Sequence, residues 1–445
     1  MTTANKTRLA FLAFVLCFAS GARAITLEAA LARTLEKNPV IQDARIRLEE
    51  AAGQRLVLRA TALPDVKISI PLGVQGGHRA GENSVQPFAF AQGYFRQPLF
   101  DARIPASYRR GNIEVLIAQQ RLNLAVAEQL HTARVAYYTA AHNQSLRALG
   151  EAQRARLETN VRTQTERYQI GEAQRGAVTV AQVLEQEIRP RLEESQRISS
   201  GALLQLAQTM GADLGPSAVL PRVDGDLPFV PTALNVASET NAAIAERPDL
   251  QLARLLVRAA AEDQRIIEAA YYPAISGEIS GNYIPVTDIH RGSEGTARPS
   301  DDVVSSELRG GAIYSWRVID NGKVGGAVLR AKAAKEINQA VLARLEANVP
   351  RELSRIQNNL RALEARHTAL EKAAIVAEQS VTDVQSNLLQ GRSSQLEYRT
   401  AESSFLETKA GLLTVAFEEN LALAERDRVT GRYFQFSGDT GAKVH

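Results

Sequence analysis

Residues 38–68 read NPVIQDARIRLEEAAGQRLVLRATALPDVKI, and the pattern returns at 247–279 as RPDLQLARLLVRAAAEDQRIIEAAYYPAISGEI. In each copy one proline stands at the second position and another follows at the same spacing, Pro39/Pro64 and Pro248/Pro273. Proline suits the first turn of a helix and breaks its interior. Each copy therefore reads as a helix closed at both ends that runs out into extended chain. Further landmarks recur in the same order. Leu99-Phe100-Asp101 answers Val318-Ile319-Asp320 at a shift of 219, against 209 for the prolines. YQIG (168–171) answers LLQG (388–391), and Met210-Gly211 answers Thr430-Gly431, both at 220. So many ordered landmarks mark a tandem duplication. The expected organisation is a first repeat over 25–225 and a second over 226–435, joined by the Pro/Gly/Asp-rich stretch 211–231 and followed by a tail at 436–445.

The change of shift is itself informative. Ten residues enter around HRGSEGTARPSDD (290–302), one enters along the following helix, and none enters between Gly391 and Gly431. Solvated loops absorb insertions and packed backbone does not. The two helical segments thus have matched lengths.

Each repeat alternates strand-like and helical chain. In Pro64–Val74, Val66, Ile68, Ile70 and Leu72 share one parity, and Lys67 and Ser69 the other. Phe88, Phe90 and Tyr94 share a parity in the partner segment and are expected on its apolar face. Later, Ile275, Ile279 and Tyr283 alternate with Ser276, Glu278, Ser280 and Asn282; Leu308, Ala312, Tyr314 and Trp316 alternate with Glu307, Arg309 and Arg317. A period of two with one apolar face is a half-covered strand, which by itself suits an ordinary sheet over a soluble core. Strands of about ten residues are also what a tilted crossing of a bilayer needs, and tyrosines and the single tryptophan lie near strand ends as interfacial aromatics do. Four strands cannot close a barrel, and open edges are not tolerated in hydrocarbon. Three protomers giving four each make twelve.

The helical parts are longer. Between Ala106 and Arg189 there is no proline, and a helix from Ala102 to Tyr168 would extend roughly 100 Å. Val115, Leu116, Leu122, Val126, Leu130, Val135 and Leu146 recur at coil-like spacing, so the rod is expected to pack along its length in a coiled coil.

The N-terminus reads as a signal peptide over 1–24: Lys6 and Arg8, the apolar run Leu9–Ala19, then Ala22-Arg23-Ala24 as a cleavage site. Val15-Leu16 before Cys17 are not the small residues of a lipid-attachment site, and cleavage would remove the single cysteine. It would also leave 49 Lys+Arg against 49 Asp+Glu. A neutral chain has no basic field for nucleic acid. No later apolar stretch is long enough for a membrane-spanning helix, so any membrane passage is expected from strands. No catalytic constellation stands out: Gly322-Lys323 lacks the rest of a phosphate loop, and the six histidines, His78 and His290 among them, are scattered. No enzyme activity, metal or cofactor is expected.

An export signal, two strand-pair-plus-long-helix units, the NP/RPDL…P helices, QPLFD (97–101), and the Y-x-x-G turn with alanine ten residues on (Tyr168, Gly171, Ala181) together resemble the TolC-type outer-membrane efflux protein family. The second copy departs from the pattern with RVID (317–320) and with Leu388 in the tyrosine's place. The resemblance implies a homotrimer, with a twelve-stranded transmembrane β-barrel among outer-membrane lipid and a long α-helical barrel in the periplasm. It further implies a periplasmic adaptor and an inner-membrane pump as partners, in drug efflux, metal-ion efflux or type I secretion alike. By the same resemblance the hairpin tips lie at Gly171, Arg175 and Gly176 and at Gly391, Gln395 and Leu396, touch the adaptor, and close as a gate. The family's pore-facing acids, six and nine positions past the second glycine, correspond here to Glu397 and Thr400, and the first repeat has Ala177 at the first of these places. A single carboxylate ring would favour cations. The competing reading is a periplasmic coiled-coil adaptor or scaffold without a pore.

Overall fold

The computed structural model describes residues 24–79, 82–212, 220–224, 227–285 and 304–432. The signal peptide, the boundary at 225/226, the insertion at 290–302 and the tail fall outside these residues, wholly or nearly so.

The elements follow as α1 (Leu27–Lys37), α2 (Pro39–Ala60), β1 (Asp65–Ser69), β2 (Leu72–Arg79), β3 (Glu82–Ala89), β4 (Ala91–Phe100), α3 (Arg103–Gln169), α4 (Arg175–Thr209), α5 (Val236–Glu246), α6 (Pro248–Glu268), β5 (Ala274–Pro285), β6 (Val304–Ser315), α7 (Lys323–Leu389) and α8 (Gln395–Thr430). The long helices α3 and α7 have 67 residues each, and the returning helices α4 and α8 have 35 and 36. Helix α4 runs through Pro190 and α7 through Pro350; a lone proline in so long a helix removes one ladder bond while its neighbours continue. No helix among the described residues is long and apolar enough to cross a membrane.

The chain forms two compact units. The first comprises Ile46–Gln120 and Leu252–Arg344. It holds an antiparallel sheet in the order β1-β4-β5-β6 and the ribbon β2-β3. Strand Pro64–Val74, expected to be continuous, is interrupted at Ile70-Pro71. Proline has no N–H for the ladder, although its carbonyl accepts from the amide of Phe90. The register is the same on both sides of the break, with Ser69 opposite Gln92 and Leu72 opposite Ala89. β1–β2 and β3–β4 are therefore the two arms of one long hairpin, and β5–β6 make the second. Beside the sheet, α3 is flanked by α2 and α6. Ala118 packs on Leu48 and Ala51, and Ile113 and Ile117 pack on Leu255 and Ala259. Arg109 and Arg110 pair with Glu262 and Asp263, both at 2.9 Å.

The second unit comprises Met1–Arg45, Arg121–Gln251 and Leu345–His445. Its main core joins Leu31 and Ile41 to Leu130, Tyr137, Leu206, Met210 and Ala424. The glycines that end α4 and α8 close it. Gly211 (φ +65°) lies so near the Lys37 carbonyl that a Cβ would sit 2.2 Å from its oxygen, and a Cβ on Gly431 (φ +76°) would meet the backbone of Glu246 and Arg247 at 3.3 Å. Asn38 completes the first contact: its amide nitrogen donates to the Thr209 carbonyl at 2.8 Å, and its oxygen accepts from the amides of Val40 and Ile41. The residue before each helix-opening proline is thus a fastening point, and only glycine fits opposite it.

Candidate functional site: the strand wall and the hairpin tips

The sheet separates its faces by register. Asp65, Arg96 and Glu278 stand side by side, and so do Lys67, Tyr94, Ser280 and Arg309. They make one charged face over a shallow concavity of about 360 Å³. Arg96 donates to Glu278 at 2.7 Å, and the Tyr94 hydroxyl donates to Asp65 at 2.9 Å. The opposite face carries Val66, Phe95 and Ile279 in one row, and Ile68 and Leu308 in another. Among the described residues no core covers it: Ile68 is 75% exposed and Leu308 80%. An uncovered apolar face backed by a charged one is not a soluble sheet's arrangement; it is that of a lipid-facing wall around water.

Tyr94 corrects the expectation. Its parity puts it with Lys67 on the charged face, and Phe95 takes the apolar one. Tyrosine tolerates that face because its hydroxyl finds Asp65. Near the end of β4 the register shifts between Pro98 and Phe100. Leu99 packs on Gly277 and Phe100 pairs with Ile275, so two consecutive residues serve the apolar side. A bulge of this kind explains the otherwise period-breaking LF of QPLFD. The following Asp101 accepts from the Arg103 amide at 2.8 Å to start α3. Asp320 does the same for α7 through the amides of Gly322 and Val324, and their N–H groups hold its carboxyl below the usual range. Trp316, just beyond β6, donates its indole N–H to the Tyr271 carbonyl.

The two tips share one turn. Gly171 (φ +82°) and Gly391 (φ +74°) adopt the left-handed conformation that ends α3 and α7. The next amide in each, Glu172 or Arg392, donates at 2.8 Å to the carbonyl of Arg167 or Asn387. Their fastening then differs. Gln174, opening α4, makes no side-chain cap. Ser394, opening α8, accepts from the Glu397 amide at 3.2 Å, while the Glu397 carboxylate accepts from the Ser394 amide at 3.0 Å. This is a reciprocal capping box, and it gives Glu397 a local duty that its spacing from Gly391 did not disclose. Thr400 is exposed and its hydroxyl donates to the Leu396 carbonyl. Arg175, Gly176 and Leu396 are exposed; Gln395 is buried, its amide paired with Asn160 of α3.

Behind the second tip lies a cluster that the sequence did not single out. Glu402, 2% exposed, accepts from Arg156 of α3 at 3.0 Å and from the Tyr398 hydroxyl at 3.2 Å. Tyr398 packs with Leu157, Leu184, Ile188 and Leu388. Burial, then the neighbouring carboxylate, drives its phenol pKa far upward. Arg167 donates to the Leu388 carbonyl, and Arg399 pairs with Glu187 at 2.9 Å. Four helices are thus tied together near the tips. Each of these ties to an arginine joins one repeat to the other, which is why spacing within a repeat gave no signal.

Comparison with known proteins agrees with this geometry. Residues 240–426 match the family described as outer membrane efflux protein. No curated protein matches by sequence. Among solved structures, the outer membrane protein VceC of Vibrio cholerae superposes with a TM-score of 0.75 at 18% identity, covering 91% of this chain and 96% of its own. The CmeC outer membrane channel of Campylobacter jejuni gives 0.73 at 14% identity, covering 91% and 85%. The open-state MtrE channel of Neisseria gonorrhoeae gives 0.70 at 17%, covering 91% and 88%. Residues 240–426 thus match that family, and the chain's course follows the TolC-like fold of these outer membrane structures.

Proposed function

We propose that this chain is the outer-membrane channel of a tripartite efflux system, a passive conduit whose helical part extends into the periplasm. The observation that carries this reading is the sheet with one uncovered apolar face and one charged face, Ile68 and Leu308 against Lys67, Tyr94 and Arg309. Three protomers give the twelve strands a closed barrel needs, four from each. The exposed residues at the tips, Gly171, Arg175, Gly176, Gly391 and Leu396, are the surface offered to a periplasmic adaptor, and an inner-membrane pump supplies the energy. Gln395 supports that surface from beneath, by its bond to Asn160. Glu397 has a second carboxylate oxygen beyond the one used in its cap, and three copies of it form the cation-favouring ring of the gate, with Thr400 beside them. The reading divides the chain into 1–24, 25–225, 226–435 and 436–445. Conductance of the wild type and of Glu397→Gln in planar bilayers tests the gate. Reduced preference for cations in the variant supports it; unchanged selectivity removes Glu397 from the pore.

A further inference from the structure

Three of the six histidines, scattered along the sequence, meet over one stretch of α8. His131 and His142 lie eleven positions apart on α3, which is three turns and about 16 Å along one side of the helix. On α8 the Ala424 carbonyl faces the His131 ring and the Leu413 carbonyl faces the His142 ring. These two carbonyls are again eleven positions apart and run in the opposite order, so the two contacts repeat one another along antiparallel helices. The His142 ring also stacks on Phe417, with centroids 4.5 Å apart and planes 7° apart. In both rings Nδ1 is buried and has no hydrogen-bond partner among the described residues. The third histidine comes from α7. His367 stacks on Phe229 at 3.9 Å and favours the charge of Glu419, the carboxylate that accepts from the Val230 amide.

These contacts answer acid differently. A proton on His142 places a charge where only burial and the Leu413 carbonyl act on the ring, and its new N–H finds no acceptor. His131 has Glu425 within 3.7 Å, but that carboxylate already holds Arg428 at 2.6 Å. Asp427 is taken up in the same way by Arg134 and Arg426. Behind them Arg355 and Glu352 of α7 and Asp249 of α6 act on the same group of charges. Burial accordingly lowers the pKa of both rings. Their folded values lie below the unfolded one, about 6.5. The α3–α8 contact is therefore complete above that value and weakens as pH falls below it. The α7 contact is not weakened in the same range. Either His367 gains a charge beside the Glu419 carboxylate, with Glu364 and Glu371 on its own side of α7, or Glu419 is itself protonated, which relieves its burial.

We propose that the α3–α8 contact is an acid-released joint: protonation of His131 and His142 parts α8 from the α3 of the first repeat, while α8 keeps its hold on the α7 of its own. The joint stands on the helical unit alone. On the channel reading it makes the second tip, at the head of α8, responsive to the acidity around it. The test takes the full chain in detergent from about pH 7.5 to about pH 5.5, a range that spans the ordinary histidine value. Ala424→Cys, in a Cys17→Ser background, puts a thiol beside His131 at a position 1% exposed. Its labelling rate, divided by that of Glu407→Cys on the exposed side of α8, is expected to rise several-fold in acid. Adding His131→Gln/His142→Gln should abolish the rise, and adding His367→Gln should leave it. The transition temperature of the wild type should fall over the same range, and that of His142→Phe, which keeps a ring on Phe417, should fall less. A labelling ratio that ignores pH overturns the joint, and so does a rise that survives the double substitution. If the double variant does not fold, His142→Phe decides, and an undiminished fall in its transition temperature overturns the joint. An acid-sensitive joint in a protein that conducts no ions across bilayers would remove the channel reading and leave this one standing.

Discussion

The two hairpin tips turn alike and are held differently. Both bend at a left-handed glycine followed by the same backbone bond, 2.8 Å long in each. Beyond the glycine, α4 starts from Gln174 with no side-chain cap, whereas α8 starts from a reciprocal Ser394–Glu397 box and is anchored two turns later by Glu402, which accepts from both Tyr398 and Arg156. The two tips thus share a backbone turn, and the side-chain cap at the helix start is present only at the second. The duplication kept the geometry that sets where the chain turns, and the two copies diverged in what resists its movement.

The largest effect should come from the buried anchor. Glu402→Ala strands Arg156 and leaves the Tyr398 hydroxyl without its acceptor. Breaking a buried pair costs several kcal/mol, reduced here to about 2 kcal/mol because Arg156 reaches solvent. Thermal dissociation of the detergent-solubilised protein should fall accordingly, and Glu407→Ala, on an exposed position of α8, should leave it unchanged. Equal responses would break the comparison. Next come the glycines. Gly391→Ala and Gly171→Ala meet no atoms within 4 Å, so each should cost only the left-handed backbone penalty, about 1–2 kcal/mol. Equal losses are the expected result, and unequal ones would show that the turns are not equivalent. The caps follow: Ser394→Ala should cost about 1 kcal/mol and Gln174→Ser should gain a few tenths. Hydrogen exchange at the two helix starts measures both.

The smallest effect contrasts two buried carboxylates of α8. Glu402 has a cation; Glu419 instead accepts from the Val230 amide at 2.9 Å. Burial raises the Glu419 pKa. Its folded value then exceeds its unfolded one, so its contribution is complete at low pH and is lost as pH rises through the folded value. Glu419→Gln should keep an acceptor for Val230, raise the transition temperature slightly at neutral pH, and flatten its decline above the unfolded carboxylate range. A steeper decline would contradict the assignment.

The long helices were legible because they depend on local periodicity, and both ends of α3 fall one position from those expected. The strands were legible as alternation, but not the break at Pro71 or the bulge at Leu99, since both depend on which residues face them across the hairpin. Tyr94 was misplaced for the same reason: its face follows from pairing with Lys67, not from its apolarity. At the tips the glycines announced themselves by spacing. The burial of Gln395, expected as a tip contact, and of Glu402 did not, because it comes from Asn160 and Arg156 of a distant helix. Glu397 is visible as a carboxylate near the turn, and its cap to Ser394 follows from the S-x-x-E pattern of residues 394–397.

On the channel reading, the apolar face of these strands meets lipid and their charged face meets water. Single-channel recording of the purified protein in planar bilayers tests it most directly. Discrete conductance steps from trimers are expected, with currents altered by Lys67→Glu on the charged face and unaltered by Ile68→Leu on the apolar one. A soluble protein that leaves the bilayer resistance unchanged would contradict it.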